Sequence, residues 1–175
     1  MRSEKKHAST TCLAIAILLV PLAWIGCIKK KTDADVIREK VAQMVTYMER
    51  EKIEDLFALI ADEYTDAENR GKKETRIMIE EYFNRFNGIV IHLLDTTCQG
   101  EGPVDQIMET EALLSQGAAM ALRRLAQMTG RYYKFKLHWR KLSGEWKLLT
   151  AEWIEIDRQD LTEKAVDGLN KLIPD

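Results

Sequence analysis

The sequence predicts an α+β order, helices followed by strands, and three observations carry that reading. Between Thr32 and Phe86 apolar residues recur at helical spacing. After Asn87-Gly88 the β-branched and apolar character of a strand takes over. Residues 131–156 then alternate about Ser143-Gly144 in the manner of a hairpin.

Thr32 to Met48 carries Ile37, Val41, Met44, Val45 and Met48 along one helix face, with Thr32 and Asp35 as a capping box in which aspartate replaces the usual Glu. Ile53, Leu56, Phe57 and Ile60 repeat the spacing in a shorter second helix. A third runs from about Lys73 to Phe86, with Ile79, Tyr82, Phe83 and Phe86 on its apolar side. Ile89 to Thr97 reads as a strand closed by the turn Gln99-Gly100-Glu101-Gly102-Pro103, and Val104 to Leu114 as the next strand. Gly117 to Thr129 returns to helical spacing through Ala118, Ala121, Leu122 and Leu125, with Thr129-Gly130 as its stop.

Arg131 to Leu142 places Tyr133, Phe135, Leu137 and Trp139 on one face and Tyr132, Lys134, Lys136, His138 and Arg140 on the other, as expected of a sheet with one dry and one wet side. Strict alternation from Trp146 to Ile156 puts Trp146, Leu148, Thr150, Glu152, Ile154 and Ile156 on a common face. Asp160 and Glu163 offer a capping box to a C-terminal helix marked by Leu161, Ala165, Leu169 and Leu172, with Gly168 the weak point in its middle.

Ahead of the domain, Arg2, Lys5 and Lys6 form a basic head and Leu13 to Ile25 an apolar run broken only by Pro21. The box Trp24-Ile25-Gly26-Cys27 resembles the end of a bacterial lipoprotein signal, whose cysteine is acylated, and the run is short for a membrane span. The expected organisation is a signal peptide over 1–26, lipidation at Cys27, a tether over 27–33, the α+β domain over 34–157 and a C-terminal helix over 158–175. The competing reading is an uncleaved membrane anchor, and Lys29-Lys30-Lys31 weighs slightly against export. Both readings place the domain in the cell envelope. Ile28, rather than Asp, after the cysteine points to the outer membrane in a Gram-negative cell.

Composition narrows the function. The formal charge of the chain is −2. Residues 1–26 carry a net +2 through Arg2, Lys5 and Lys6 against Glu4, so their removal leaves −4 and a mildly acidic domain that does not suit a nucleic acid. Of the 3 cysteines only Cys98 falls in the domain, which therefore relies on its core rather than on a disulfide. His92 and His138 lie on separate strands with no third ligand, so no metal site is expected. No Gly-rich phosphate loop, cysteine pair or nucleophilic serine motif is present, and no cofactor is expected.

The order of helices and strands, Glu63-Tyr64-Thr65-Asp66 after the second helix, Lys72 to Phe86 as the third, and the pair Tyr133-Lys134-Phe135-Lys136-Leu137 with Gly144 to Trp153 resemble the nuclear transport factor 2-like superfamily, which includes SnoaL-like cyclases. The resemblance spans most of residues 34–157. It implies an α+β cone in which a strongly curved antiparallel sheet packs against the N-terminal helices and leaves a pocket at its open end. The predicted helices at 117–129 and after Asp160 are additions that would plug or cover that pocket. It also implies that the sheet face is a candidate homodimer surface.

The candidate pocket residues are Glu152, Asp66, Tyr82, Thr150 and Trp139. Glu152 on an apolar face would have its pKa raised by desolvation and so suit general acid or base work; the plain alternative is a carboxylate at the rim. Asp66 is either a pocket acid or a turn aspartate, and Tyr82 offers its hydroxyl inward or simply packs. The wet face, with Lys134, Lys136 and Arg140, is a solvated surface or a site for anionic head groups. The leading expectation is a lipid-anchored, non-catalytic domain that binds a small apolar molecule or a protein partner. The alternative is a small isomerase, cyclase or dehydratase using a pocket carboxylate.

Overall fold

The computed structural model describes residues 31–86, 88–100, 102–116 and 130–172, and the folded domain is the unit that begins at Thr32. Helix α1 is Asp33–Glu49 and starts as its sequence requires: Thr32 Oγ1 accepts from the Asp35 N–H at 3.2 Å, while Asp35 Oδ2 accepts from the Thr32 N–H at 3.1 Å. Helix α2 is Ile53–Ala58 and buries Leu56 and Phe57. Helical spacing predicts that it reaches Ile60, but Ile60 opens strand β1, Ile60–Asp66. The helix gives way because the Leu59 carbonyl accepts from the Leu148 N–H at 2.9 Å, which commits the backbone to the sheet. The Glu63-to-Asp66 segment is thus strand.

Helix α3 is Lys72–Arg85, and β2 (Ile89–Gly100), β3 (Asp105–Gln116), β4 (Arg131–Leu142) and β5 (Glu145–Ile156) come after it. A short 3-10 turn, Arg158–Asp160, leads to helix α4, Glu163–Leu172. The predicted helix at 117–129 lies outside the described residues.

The 5-stranded sheet has the order β1-β5-β4-β3-β2 and is curved and unclosed. β2 to β5 form the expected antiparallel meander, whereas β1 pairs parallel with β5, so the sheet is mixed. No hairpin joins β1 to β5; α3 and the meander stand between them, which frees β1 to lie parallel at the edge.

The inner face, covered by the N-terminal helices, carries the main core: Met108, Leu137, Trp139, Trp146, Leu148 and Ala151 with Ile37, Val41, Leu56 and Tyr64. Each large apolar side chain so buried contributes about 1.5–3 kcal/mol relative to exposure. Asp33 Oδ1 tethers the start of α1 to the hairpin by accepting from Trp146 Nε1 at 3.0 Å and Lys141 Nζ at 3.1 Å.

A bulge decides which residues of β5 face inward. Leu137 pairs with Ala151 and His138 with Thr150, but Trp139 pairs with Leu148, leaving Leu149 as an extra residue. Side-chain parity therefore reverses at Leu149. Trp146 and Leu148 share the inner face with Ala151, Trp153 and Glu155, while Thr150, Glu152 and Ile154 turn outward, which overturns the strict alternation expected from the sequence.

The outer face holds a second core. Tyr132, expected on the wet side, is 7% exposed and packs with Leu94, Leu113, Leu161, Ala165 and Leu169. Helix α4 lies over this end of the outer face and so does not cover the inner one. Its N-cap is Thr162, whose Oγ1 accepts from the Ala165 N–H at 3.2 Å, rather than Asp160, which sits in the 3-10 turn. Gly168 is required by contact: a Cβ there would lie 2.5 Å from the Leu94 carbonyl oxygen.

Candidate functional site

Asp66 ends β1 on the inner face, opposite Ala151, with its side chain fully enclosed. One carboxylate oxygen accepts from the backbone N–H groups of Glu68 and Arg70, each at 2.9 Å. The other accepts from Arg70 Nε at 2.6 Å and from the Thr75 hydroxyl at 3.4 Å. Burial alone would raise its pKa, but the Arg70 guanidinium and the two N–H groups outweigh it and hold the carboxyl below its ordinary value. Asp66 is enclosed, and it is spent on tying β1 to the start of α3. The neighbouring Tyr64 has its phenol pKa pushed well up by burial and by the Asp66 charge, so its hydroxyl stays protonated.

Glu152 is exposed on the outer face, directly across from Lys136. Thr150 lies on that face across from His138. Trp139 is fully buried in the inner core, where its indole Nε1 has no hydrogen-bond partner, so it forms the floor of the inner face rather than a contact surface. The five predicted pocket residues therefore do not converge.

What does converge is an aromatic cluster at the Arg131–Tyr133 end of the inner face. Tyr133 and Phe135 stand side by side on β4, ring centroids 6.0 Å apart. Trp153 lies across from Phe135 and Glu155 across from Tyr133. From α3 and its C-cap come Tyr82 and Phe86, centroids 4.6 Å apart. Burial first, then the Tyr133 oxygen, raises the Tyr82 phenol pKa, with the Arg131 charge opposing. Tyr82, Phe86, Tyr133, Phe135 and Trp153 are all half-buried.

Polar groups rim this cluster. Glu155 accepts from Arg131 Nη1 at 3.3 Å and from the Tyr133 hydroxyl at 3.4 Å. The Arg70 guanidinium lies over the Trp153 ring at 5.7 Å, held there by Asp66 and Glu68. Helical spacing already places Tyr82 and Phe86 on the apolar side of the third helix and alternation places Tyr133 and Phe135 on the dry face, so four of the five rings are legible in the sequence. Trp153 and Glu155 are hidden there by the bulge.

The outer face is less basic than β4 alone suggests. Lys136 stands between Glu109 and Glu152, Lys134 lies opposite Glu111, and Asp105 accepts from Arg140 Nε at 2.8 Å and lies 3.0 Å from His138 Nε2. Arg140 foremost, with His138 adding to it, holds the Asp105 carboxyl below its ordinary pKa. Cys98 is half-buried, and burial raises its thiol pKa. Among the described residues no group of three or more His, Cys, Asp or Glu side chains is arranged to hold a metal ion, and no helix is long and apolar enough to cross a membrane. A groove of about 330 Å³ runs along α1, lined by Glu39, Ala42, Gln43, Thr46 and Tyr47, none of them among the predicted site residues.

No protein-family model matches the chain, and no curated protein sequence does. Solved structures do resemble it. A nuclear transport factor 2-like protein with a cystatin-like fold from Novosphingobium aromaticivorans superposes with a TM-score of 0.58 at 16% identity, covering 94% of this chain and 99% of that one. A scytalone dehydratase-like protein from the same species gives 0.58 at 15% identity, covering 69% and 82%. Bd1075 of Bdellovibrio bacteriovorus gives 0.58 at 12% identity over 70% of this chain and only 40% of its own length. At these identities the likeness is one of fold.

Proposed function

We propose that this domain, which has the nuclear transport factor 2-like fold, is an envelope-tethered binding module that holds a flat apolar ligand against its inner-face aromatic cluster without transforming it. One observation carries the reading. The residues that gather at the Arg131–Tyr133 end of the inner face are half-buried rings, while the carboxylates offered for acid or base work are engaged or elsewhere: Asp66 in four hydrogen bonds, Glu152 on the opposite face. Aromatic rings supply contact area and stacking at little entropic cost, which suits retention.

The tether is the Cys27 signal. Incorporation of a labelled fatty acid tests it: the parent chain takes up label and Cys27→Ala does not. Equal labelling of the two removes the lipoprotein reading. Binding is tested by titrating N-phenyl-1-naphthylamine, a neutral planar probe, into the full chain and into Trp153→Ala. Loss of one stacked ring is expected to weaken the probe's dissociation constant about three- to tenfold. An unchanged constant contradicts the assignment of the cluster as the site.

A second reading, a dehydratase or isomerase, is favoured by the likeness to the scytalone dehydratase-like protein. It would need a free carboxylate at the cluster, and Glu155, already bonded to Arg131 and Tyr133, is the one that stands there.

A further inference from the structure

The loop between β1 and α3 carries an arginine whose guanidinium is gripped on two of its three nitrogens. Arg70 Nε donates to Asp66 Oδ2 at 2.6 Å, and Nη1 lies 2.9 Å from Glu68 Oε2. The third, Nη2, is buried and has no hydrogen-bond partner among the described residues. What lies beside it is a ring: Arg70 Cζ, to which Nη2 is bonded, stands 5.7 Å from the centroid of Trp153. Folded proteins leave few buried N–H groups without an acceptor, and the face of an indole is one that a guanidinium uses. The two carboxylates account for the charge of Arg70, while the burial of Nη2 is accounted for by the ring.

The support of this guanidinium is rigid. Asp66 N–H donates to the Arg70 carbonyl at 3.0 Å and Arg70 N–H returns a bond to Asp66 Oδ1 at 2.9 Å, so the loop closes on itself. Ala67 N–H then fastens it to the Ala151 carbonyl at 3.0 Å. Ala151 stands two residues before Trp153 on the same inner face of β5, so clamp and ring belong to one register.

Trp153 has less to hold it. Its indole is half-buried, packed against the margin of the main core, and lies across from Phe135 within the aromatic cluster. A partly exposed side chain on a strand has more than one rotamer open to it, and a ligand that stacks on it must select one. A fixed guanidinium on one face of the ring makes that selection before the ligand arrives.

We propose that Arg70 is a positioning residue for the aromatic site: it holds the Trp153 indole in the orientation on which the ligand stacks, and acts on binding through that ring alone. The inference rests on the reading of the cluster as the binding site. It gives the Asp66–Arg70 pair a role in binding besides its role in the fold.

Titration of N-phenyl-1-naphthylamine into the full chain tests it as a double-mutant cycle, with Arg70→Met and Trp153→Ala made separately and together. Arg70→Met is expected to weaken the dissociation constant about two- to fivefold in the parent and to leave it unchanged in the Trp153→Ala background, where the ring it acts through is gone. Equal weakening in both backgrounds overturns the proposal, since Arg70 would then touch the ligand or act through the fold at large. An unchanged constant in Arg70→Met beside a weakened one in Trp153→Ala overturns it too, and leaves the cluster as the site. If Trp153→Ala is itself without effect, the cluster reading fails and the positioning role fails with it.

Arg70→Met leaves the enclosed Asp66 carboxylate without its cation, so a second variant guards against poor folding. Arg70→Lys keeps a positive charge there but no planar group over the ring. In the full chain labelled with 5-fluorotryptophan, Arg70→Lys should displace the fluorine resonance of Trp153, assigned by its loss in Trp153→Phe, and leave those of Trp139 and Trp146 in place. A Trp153 resonance that does not move, or a common shift of all three, contradicts the clamp.

Discussion

Removing the carboxylate of Asp66 should destabilise the domain severely. The side chain is fully enclosed and accepts four hydrogen bonds, two from backbone N–H groups and one each from Arg70 and Thr75. Asp66→Ala leaves both N–H groups unpaired and strips Arg70 of its buried partner, although the guanidinium keeps Glu68 at 2.9 Å and is 25% exposed. Breaking a buried ion pair from one side costs about 3–5 kcal/mol; with Arg70 partly solvated, a loss of about 2–4 kcal/mol is expected. Asp66→Asn keeps an acceptor for the backbone and should cost less, about 1–2 kcal/mol. Urea denaturation of parent and variants at pH 7 reads both as shifts in midpoint at constant slope.

The pH dependence gives a second handle on the same residue. The folded-state pKa of Asp66 is depressed, so its contribution is present above the unfolded carboxyl pKa and is lost as the pH falls through the lower folded value. The parent should lose stability on acidification below about pH 4 more steeply than Asp66→Asn. If Asp66→Ala costs less than about 1 kcal/mol, or if both proteins respond to acid alike, Asp66 is not the fastening described and its availability for chemistry must be reconsidered.

Gly168→Ala should loosen α4, since its Cβ would meet the Leu94 carbonyl at 2.5 Å; a cost of about 1–3 kcal/mol and faster hydrogen exchange in 163–172 are expected, and an unchanged exchange pattern would refute the close contact. Glu152→Gln, exposed on the outer face, should change stability by no more than about 0.5 kcal/mol and leave binding of the naphthylamine probe as it is; a marked loss of probe binding would bring Glu152 back to the site.

The sequence makes the fold legible wherever one periodicity holds over a whole element. The capping box at Thr32, the apolar stripe of α1 and the alternation of β4 each depend on local spacing, and each has its structural counterpart. The failures occur where a tertiary partner overrides the local pattern. Ile60 continues a helical stripe, yet the backbone at Leu59 is drawn into the sheet by Leu148. Glu152 continues an alternation, yet one extra residue at Leu149 turns it to solvent and brings Trp153 and Glu155 inward in its place. Tyr132 falls on the polar side of β4, and only the docking of a remote helix buries it. A bulge leaves no mark in residue types, so the part of the candidate site that lies beyond it on β5, Trp153 and Glu155, is the part least readable from the chain alone.

Retention without conversion is tested most directly by native mass spectrometry of the full chain isolated from its own envelope. The expected species is a chain carrying lipid at Cys27 together with a non-covalently held apolar molecule that is released unaltered and can be rebound. A chain that bears no lipid and returns its bound molecule dehydrated or isomerised would contradict it.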